Sequence, residues 1–374
     1  YIETADGKRL LLRVADISDY ARKKSEFETV QKGAAIGIPL PQPVYFGISE
    51  DGKSVYTLLT WIDGDEVETI LPTLSKTEQY TLGLKSGAIL RKIHNIPTSK
   101  ETEDWVVRYF AVMDERLNAF RSEGVAFHGD SVILKYLDAN RYLLKGRPQC
   151  CHHGDYHEGN MILSKEGELS VIDWHTVDFD NYGDPWYEFN RIGCAFPAFA
   201  SGQINGYFNN KPPEEFWRLL AYYLSASAIT SIVWAKYFAP ERFDAILNLN
   251  TDILYWFDNM QNPVPKWYTG FQNLCFCGHD CSRCVTYLAT VKNDNELRKQ
   301  SQQFYKNKFE LDIPLSDIYC LGGHSDDIFK LCHGCPWMKC CIEKGLSACS
   351  DCTEYPCKPL KEYQEKYVNK CNQI

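Results

Sequence analysis

Residues 153–173 read His-Gly-Asp-Tyr-His-Glu-Gly-Asn-Met-Ile-Leu-Ser-Lys-Glu-Gly-Glu-Leu-Ser-Val-Ile-Asp, and the fold turns on them. A short polar loop leads into three apolar residues, Met161 to Leu163. A turn carrying Gly167 follows, and a second apolar run, Leu169 to Ile172, delivers Asp173. Short apolar runs around a glycine turn predict two strands that return on each other. Such a hairpin brings Asp155, Asn160 and Asp173 to one end. Phosphoryl transfer to a hydroxyl needs an acceptor for the hydroxyl proton and oxygen ligands for magnesium, a hard octahedral ion. On this reading Asp155 orients and deprotonates the acceptor, Asn160 ligates magnesium, and Asp173 bridges metal and phosphates.

The chain contains its own control. His128-Gly129-Asp130 repeats the first three letters, but Lys135 stands five residues beyond Asp130, where Asn160 stands five beyond Asp155. No aspartate on a strand follows at the right interval. The chemistry is therefore carried by the linked set and not by the tripeptide.

The linked set is His153-Gly154-Asp155-Tyr156-His157-Glu158-Gly159-Asn160, then Ile172-Asp173-Trp174, then Gly183-Asp184-Pro185. It resembles the signature of the aminoglycoside phosphotransferase-like kinases. The resemblance implies an α+β, two-lobed, protein-kinase-like fold with a mostly helical large lobe. It also implies phosphorylation of small molecules such as aminoglycosides, macrolides, choline or homoserine. By position it makes Asp155 the catalytic aspartate, Asn160 and Asp173 the magnesium ligands, and Asp184 a carboxylate that braces the catalytic loop. Where that family most often ends the last motif with aspartate, this chain has Glu188, which keeps the charge.

The bounds agree. A chain of 374 residues with 44% hydrophobic and 14% aromatic content can bury a sizeable core in two or three domains. A net charge of −9 without a long basic run argues against a nucleic-acid groove and biases the acceptor toward a cationic molecule. Leu219 to Ala235 lacks charge, but its seventeen residues include Ser225, Ser227, Thr230 and Ser231. A membrane span needs about twenty mainly apolar residues, so a buried helix is expected and no membrane partner.

Tyr1 to Ala5 and Lys8 to Val14 read as strands joined by Asp6-Gly7, a strong hairpin signal. The resemblance places Arg13 where the family holds the α- and β-phosphates with a basic residue, commonly lysine. Counting back, the first strand and the phosphate-covering loop are expected upstream of Tyr1. A helix from Tyr20 to Ala35 follows, with Phe27, Val30 and Ala34 on one face. By resemblance Glu26, with Glu28 as the alternative, pairs with the basic strand residue. Ile38 to Pro43 cannot continue a helix. It feeds strands at Val44 to Gly47 and Ser54 to Ile62, and the resemblance makes Thr60, Trp61 and Ile62 a hinge. There, backbone groups near Thr60 and Ile62 would take the adenine edge of ATP or, equally, the base of GTP.

Helical patterns recur over residues 75–94, 104–122, 132–144, 212–237 and 241–260. The aromatic residues Phe216, Trp217, Tyr222, Tyr223 and Trp234 are read mainly as core. Asp178 and Asp180 either receive an ammonium group of the acceptor or form a charged surface loop. The expected division is a small lobe over 1–60, a large lobe over 61–268 and a third region over 273–371.

That third region holds thirteen of the sixteen cysteines. Their spacing groups Cys277, Cys281 and Cys284, then Cys320, then Cys332, Cys335 and Cys340, then Cys349, Cys352 and Cys357. Thiolates two residues apart can grip a tetrahedral ion, and a nucleotide-using kinase belongs in a reducing compartment, the cytoplasm. Structural zinc on these ten residues is the expectation, with Cys275, Cys341, His279, His324 or His333 completing a set. Cys277 to Cys284, Cys332 to Cys341 and Cys349 to Cys357 also resemble a cysteine-rich family of unknown function, which brings no activity with it. A metal-stapled scaffold and a protein-docking module are the two readings of this region. For the main body, a small-molecule kinase stands against a catalytically silent or protein-directed binding module of the same fold.

Overall fold

Gly7, at φ +78°, closes the turn that starts the chain, with its N–H on the Thr4 carbonyl at 2.9 Å. The computed structural model describes residues 2–74, 76–97, 103–174, 179, 181–192, 195–209, 211–269, 275–279, 281, 284–291, 293–323, 328–346, 348–349, 352–363 and 365. The chain forms two compact units: Tyr1–Thr73, Lys85–Ala195 and Lys211–Lys266 in the first, and Leu74–Leu84, Phe196–Asn210 and Trp267–Ile374 in the second.

The first unit opens with β1 (Ile2–Glu3), β2 (Arg9–Asp16), α1 (Tyr20–Ala35), β3 (Pro43–Ile48) and β4 (Ser54–Thr60). The strands make one antiparallel sheet in the order β1-β2-β4-β3, with Arg13 opposite Thr57. Asp16 accepts the Ser18 N–H at 2.9 Å and starts the turn into α1. Phe27 and Val30 on α1 are buried, and the Phe27 ring meets Phe46 of β3 at 5.6 Å. Burial of apolar side chains on one helical stripe fixes the helix on the sheet. The proline-rich connector behind it buries Ile38 and Leu40.

Beyond the small sheet lie β5 (Asp65–Glu66), α2 (Val67–Ile70), α3 (Lys76–His94), α4 (Trp105–Ser122) and α5 (Asp130–Asn140). Gly129 precedes α5 with φ +89°, so the repeated His-Gly-Asp is only a helix start. Four short strands follow, β6 (Cys150–Cys151), β7 (Met161–Leu163), β8 (Leu169–Val171) and β9 (Tyr182–Gly183). Three helices complete this part of the chain: α6 (Pro197–Phe208), α7 (Glu214–Phe238) and α8 (Phe243–Trp256). A small antiparallel sheet with its helix and a larger, mostly helical part give the two-lobed architecture. Among the described residues α7 alone is long and apolar enough to cross a membrane, yet 78% of its apolar window is buried in the protein. Phe216, Tyr222 and Tyr223 are core residues, whereas Trp234 is 48% exposed.

In the second unit α6 and the first turns of α3 meet backbone to backbone. A Cβ at Gly83, Gly202 or Gly206 would come within 2.1 Å, 2.0 Å or 2.1 Å of the carbonyl oxygens of Phe199, Tyr80 and Leu84. The rest of the unit carries α9 (Lys266–Thr269), α10 (Val285–Val291), α11 (Asn295–Phe309), α12 (Pro336–Glu343) and α13 (Lys358–Tyr363). Asp294 caps α11 by accepting the Glu296 N–H at 2.8 Å.

The cysteines of this unit correct the zinc expectation. Among the described residues no group of three or more His, Cys, Asp or Glu side chains is placed to hold a metal ion. Cys277, Cys281, Cys284, Cys320, Cys332, Cys335, Cys340, Cys349, Cys352 and Cys357 therefore do not form the expected zinc set; His324 lies outside the described residues. The physical reason is packing. Cys277, Cys341 and Cys349 share an apolar cluster with Leu360, and Cys320 shares another with Ile313, Ile318 and Phe329. A buried thiol behaves as a small hydrophobe. The hydrogen bond with Cys275 and burial push the Cys277 thiol up, and burial does the same for Cys320 and Cys349. Metal ligation needs the thiolate, which these surroundings disfavour.

Candidate active site

The hairpin that decides the site is made by three residue pairs, Met161 opposite Val171, Ile162 opposite Ser170 and Leu163 opposite Leu169. Gly167, at φ +82°, turns the chain. Ile172 N–H donates to the Asn160 carbonyl at 3.0 Å, and His153 Nε2 pairs with the Ile172 carbonyl at 2.9 Å. These two bonds hold the loop before β7 against the end of β8. Burial pushes the His153 imidazole pKa down and keeps the ring neutral. Asp173 then leaves the strand in a left-handed conformation, φ 60°, which non-glycine residues seldom adopt.

Asp155 lies at the centre of a small network. Asn160 Nδ2 donates to the Asp155 carbonyl at 2.9 Å and to its Oδ2 at 3.2 Å. Arg191 Nη1 donates to Oδ1 at 2.6 Å, and His157 Nε2 lies 3.5 Å from Oδ2. The other His157 nitrogen, Nδ1, accepts the Gly159 N–H at 3.1 Å, which directs the proton on Nε2 toward Asp155. Burial pushes the Asp155 carboxyl up, but the His157 hydrogen bond and the Arg191 charge outweigh it and hold the pKa at about 2. Asp155 is therefore a carboxylate near neutrality, able to accept a proton in a transition state.

Behind the loop stand the two acids of the last motif, and they divide the work. Glu188 accepts the backbone N–H groups of His153 at 2.9 Å and Gly154 at 2.7 Å, and pairs with His94 at 3.2 Å. Asp184 is fully buried, receives Arg147 Nε at 2.7 Å and Tyr223 OH at 2.8 Å, and caps the following turn through Trp186 N–H at 2.9 Å. The loop backbone is thus held directly by Glu188, while Asp184 ties it through its carbonyl to His152 Nε2 at 2.9 Å.

Two cavities meet this hairpin. One, of about 760 Å³, is lined by Arg13, Glu26, Thr60, Ile62 and Asp173. Within it Arg13 Nη1 pairs with Asp173 Oδ1 at 2.5 Å, while the Glu26 carboxylate pairs with Lys23 at 2.7 Å and Arg22 at 3.3 Å. The Thr60 N–H donates to the Gln42 carbonyl at 2.9 Å. Gly64 is required where the chain runs from β4 to β5, since a Cβ there would meet the Leu163 carbonyl oxygen at 2.3 Å. The second cavity, of about 820 Å³, contains Asp155 and is walled by α4, α7 and α8. Asp178 and Asp180 lie outside the described residues.

Arg191 was not anticipated from the sequence, and neither was the direct hold of Glu188 on two loop N–H groups. No motif marks Arg191, whose partner is thirty-six positions away. The charge kept at position 188 was the one available signal for the other.

Comparison with known proteins places this arrangement. The profile of the phosphotransferase enzyme family matches residues 1–220, and that of a protein of unknown function (DUF3795) matches residues 273–362. The chain belongs to the phosphotransferase enzyme family, and the class so defined is a phosphotransferase with the two-lobed kinase-like fold. Its C-terminal cysteine-rich region is distinct and matches that second family. Among solved structures, the streptomycin-ATP-APH(2'')-IIa ternary complex is 18% identical, with 65% of this chain and 84% of that chain covered and a TM-score of 0.47. An aminoglycoside phosphotransferase from Alicyclobacillus acidocaldarius is 14% identical, with 70% and 86% covered and a TM-score of 0.47. A choline/ethanolamine kinase family protein from Mesorhizobium loti is 16% identical, with 64% and 82% covered and a TM-score of 0.42. No curated protein matches the chain.

Proposed function

We propose that this phosphotransferase moves the terminal phosphoryl group of ATP or GTP to a hydroxyl of a small molecule, with Asp155 as the catalytic base. One observation carries the reading. A single hairpin sets Asp173 in the cavity with Arg13, Glu26, Thr60 and Ile62, and the loop before it sets Asp155 in the other cavity. A nucleotide in the first would present its terminal phosphate on the Asp173 side, and an acceptor in the second its hydroxyl on the Asp155 side.

The residues present suit magnesium. The Asn160 amide nitrogen is committed to Asp155, which leaves its side-chain oxygen as the atom that would ligate the ion, with the Asp173 carboxylate as the second ligand. Asn160 and Asp173 would hold the ion, which when bound neutralises phosphate charge. The chain's own residues do the rest. Asn160 and His157 hold the Asp155 carboxylate in one orientation, and Asp155 takes the hydroxyl proton as the acceptor oxygen bonds to phosphorus and the bond to the leaving diphosphate breaks. Arg13 exchanges Asp173 for the phosphates. Glu188 keeps the loop backbone in place throughout. An aminoglycoside is one acceptor of this kind.

The test is nucleotide consumption across hydroxylated acceptors with Asp155→Asn beside the unaltered protein. Transfer should fall by roughly 10²-fold or more while nucleotide binding persists. Undiminished turnover in the variant would overturn the mechanism.

A further inference from the structure

Two carboxylates would repel a phosphoryl group passing between the cavities, Asp173 on the nucleotide side and Asp155 on the acceptor side. At rest each is covered by a guanidinium. Arg13 Nη1 pairs with Asp173 Oδ1 at 2.5 Å, and Arg191 Nη1 donates to Asp155 Oδ1 at 2.6 Å. The first arginine already has a part in holding phosphate. The second has none, although its partner is the base itself.

The two oxygens of Asp155 are divided between different neighbours. Oδ2 receives Asn160 Nδ2 at 3.2 Å and lies 3.5 Å from His157 Nε2, so the loop that carries Asp155 also fixes its carboxylate. Oδ1 is met by Arg191, the one guanidinium in contact with Asp155 among the described residues. A hydroxyl that gives its proton to Oδ1 takes the place of that N–H, and the carboxylate stays held when Arg191 leaves.

Arg191 combines a fixed backbone with a loose side chain. Asn190 N–H donates to the Tyr187 carbonyl at 3.0 Å and Ile192 N–H to the Phe189 carbonyl at 3.1 Å, and Phe189 and Ile192 are buried. The Arg191 side chain is 62% exposed. An ion pair so open to water contributes little to stability, so a change of partner costs little. The reach is short as well. A reacting hydroxyl stands about 3 Å from its base and about 3 Å from phosphorus, which puts the phosphoryl group within about 6 Å of Oδ1.

We infer, on the reading of Asp155 as the base, that Arg191 is a catalytic residue: it covers Asp155 until the acceptor arrives and then binds the oxygens of the transferring phosphoryl group. Its charge stabilises the transition state from the acceptor side, as Arg13 does from the nucleotide side. The proton passes to Asp155, the acceptor oxygen bonds to phosphorus and the bond to the leaving diphosphate breaks. Arg191 itself exchanges hydrogen bonds only.

The experiment is calorimetric titration of the whole chain with ADP and magnesium, with and without aluminium fluoride, which stands in for the phosphoryl group in transfer. Fluoride should tighten ADP binding to the unaltered protein. Arg191→Ala should leave the affinity for ADP and magnesium within about twofold and cut the fluoride-dependent gain by roughly tenfold or more. Arg191→Lys, which keeps the charge without the fork, should lie between and keeps the test open if the alanine variant does not fold. Asp155→Asn is the control for a residue that only props the base. On that background Arg191→Ala should still cost the fluoride complex its affinity. The inference is overturned if fluoride gives no gain in the unaltered protein, if the gain survives Arg191→Ala, or if Arg191→Ala adds nothing to Asp155→Asn. Each of these leaves the phosphotransferase reading standing while ADP and magnesium bind. Failure of ADP and magnesium to bind the unaltered protein overturns that reading, and this inference with it.

Discussion

Glu188 Oε1 accepts the Gly154 N–H at 2.7 Å, so a side chain thirty-four positions downstream fixes the peptide just before Asp155. Its other oxygen takes the His153 N–H and His94. Glu188→Ala leaves two N–H groups in a dry site without acceptors, and each charge-assisted bond of this kind contributes about 1.5–3 kcal/mol. The expected loss is about 3 kcal/mol of unfolding free energy together with most of the activity. Glu188→Gln retains one acceptor oxygen and should fall between. Denaturant unfolding of both variants measures the order.

Acid should weaken the fold in two stages. Burial depresses His152 and His153 below the ordinary value of 6.5, so below that pH the unfolded chain binds protons that the folded one excludes, and stability falls. His157 works the other way. Its pKa is raised by Asp155, so its contribution is present below 6.5 and is lost as pH rises through the raised value. Glu188 adds the second stage. Burial pushes it up, but the His94 hydrogen bond works against burial and the pKa is held at about 2, so its contribution is full above 4.5 and disappears between 4.5 and about 2. Two buried histidines outnumber one, so urea midpoints should fall from pH 7 to pH 5 and more steeply below 4.5. A midpoint that rises on acidification would contradict this assignment.

Arg13 and Asp173 illustrate a pair that matters for binding more than for stability. Both side chains are more than 40% exposed. An ion pair so open to water contributes at most about 1 kcal/mol. Arg13→Ala should therefore leave the melting temperature nearly unchanged and weaken ATP-magnesium binding by roughly tenfold, since a charge-assisted phosphate contact is lost. Arg13→Lys keeps the charge without the guanidinium fork and should lie between. Calorimetric titration of nucleotide separates the two effects.

The parts that could be read from the chain are those set by local rules. Gly7 and Gly167 mark tight turns, and the apolar runs around Gly167 define the strands that Asn160 precedes and Asp173 follows. Helix ends were less legible: residues 132–144 were expected as one helix, and α5 instead spans Asp130–Asn140 with a tighter 3₁₀ turn over Arg141–Leu144. What escaped depends on side chains distant in sequence. The approach of Arg191 to Asp155 is set by how the stretch after Asp184 folds back. The cysteines misled for the same reason. A two-residue spacing serves a metal and a packed thiol equally well, and only tertiary convergence of the sulfurs separates them.

That distinction yields a labelling pattern. Cys340 is exposed, whereas Cys277, Cys320 and Cys349 are buried in apolar clusters and their thiols are pushed up. Alkylation proceeds through the thiolate and needs access, so the three buried thiols are disfavoured on both counts, and Cys340 has the access. Cys332 separates them, being exposed as a residue while burial of its sulfur raises the pKa to about 12. Iodoacetamide at mild alkaline pH, followed by peptide mass spectrometry, should modify Cys340 first, Cys332 later, and the three buried thiols only on unfolding. Equal rates at Cys340 and Cys349 would mean that the cluster around Leu360 is not packed as the structure has it. Early labelling of Cys332 would show that access outweighs thiolate supply.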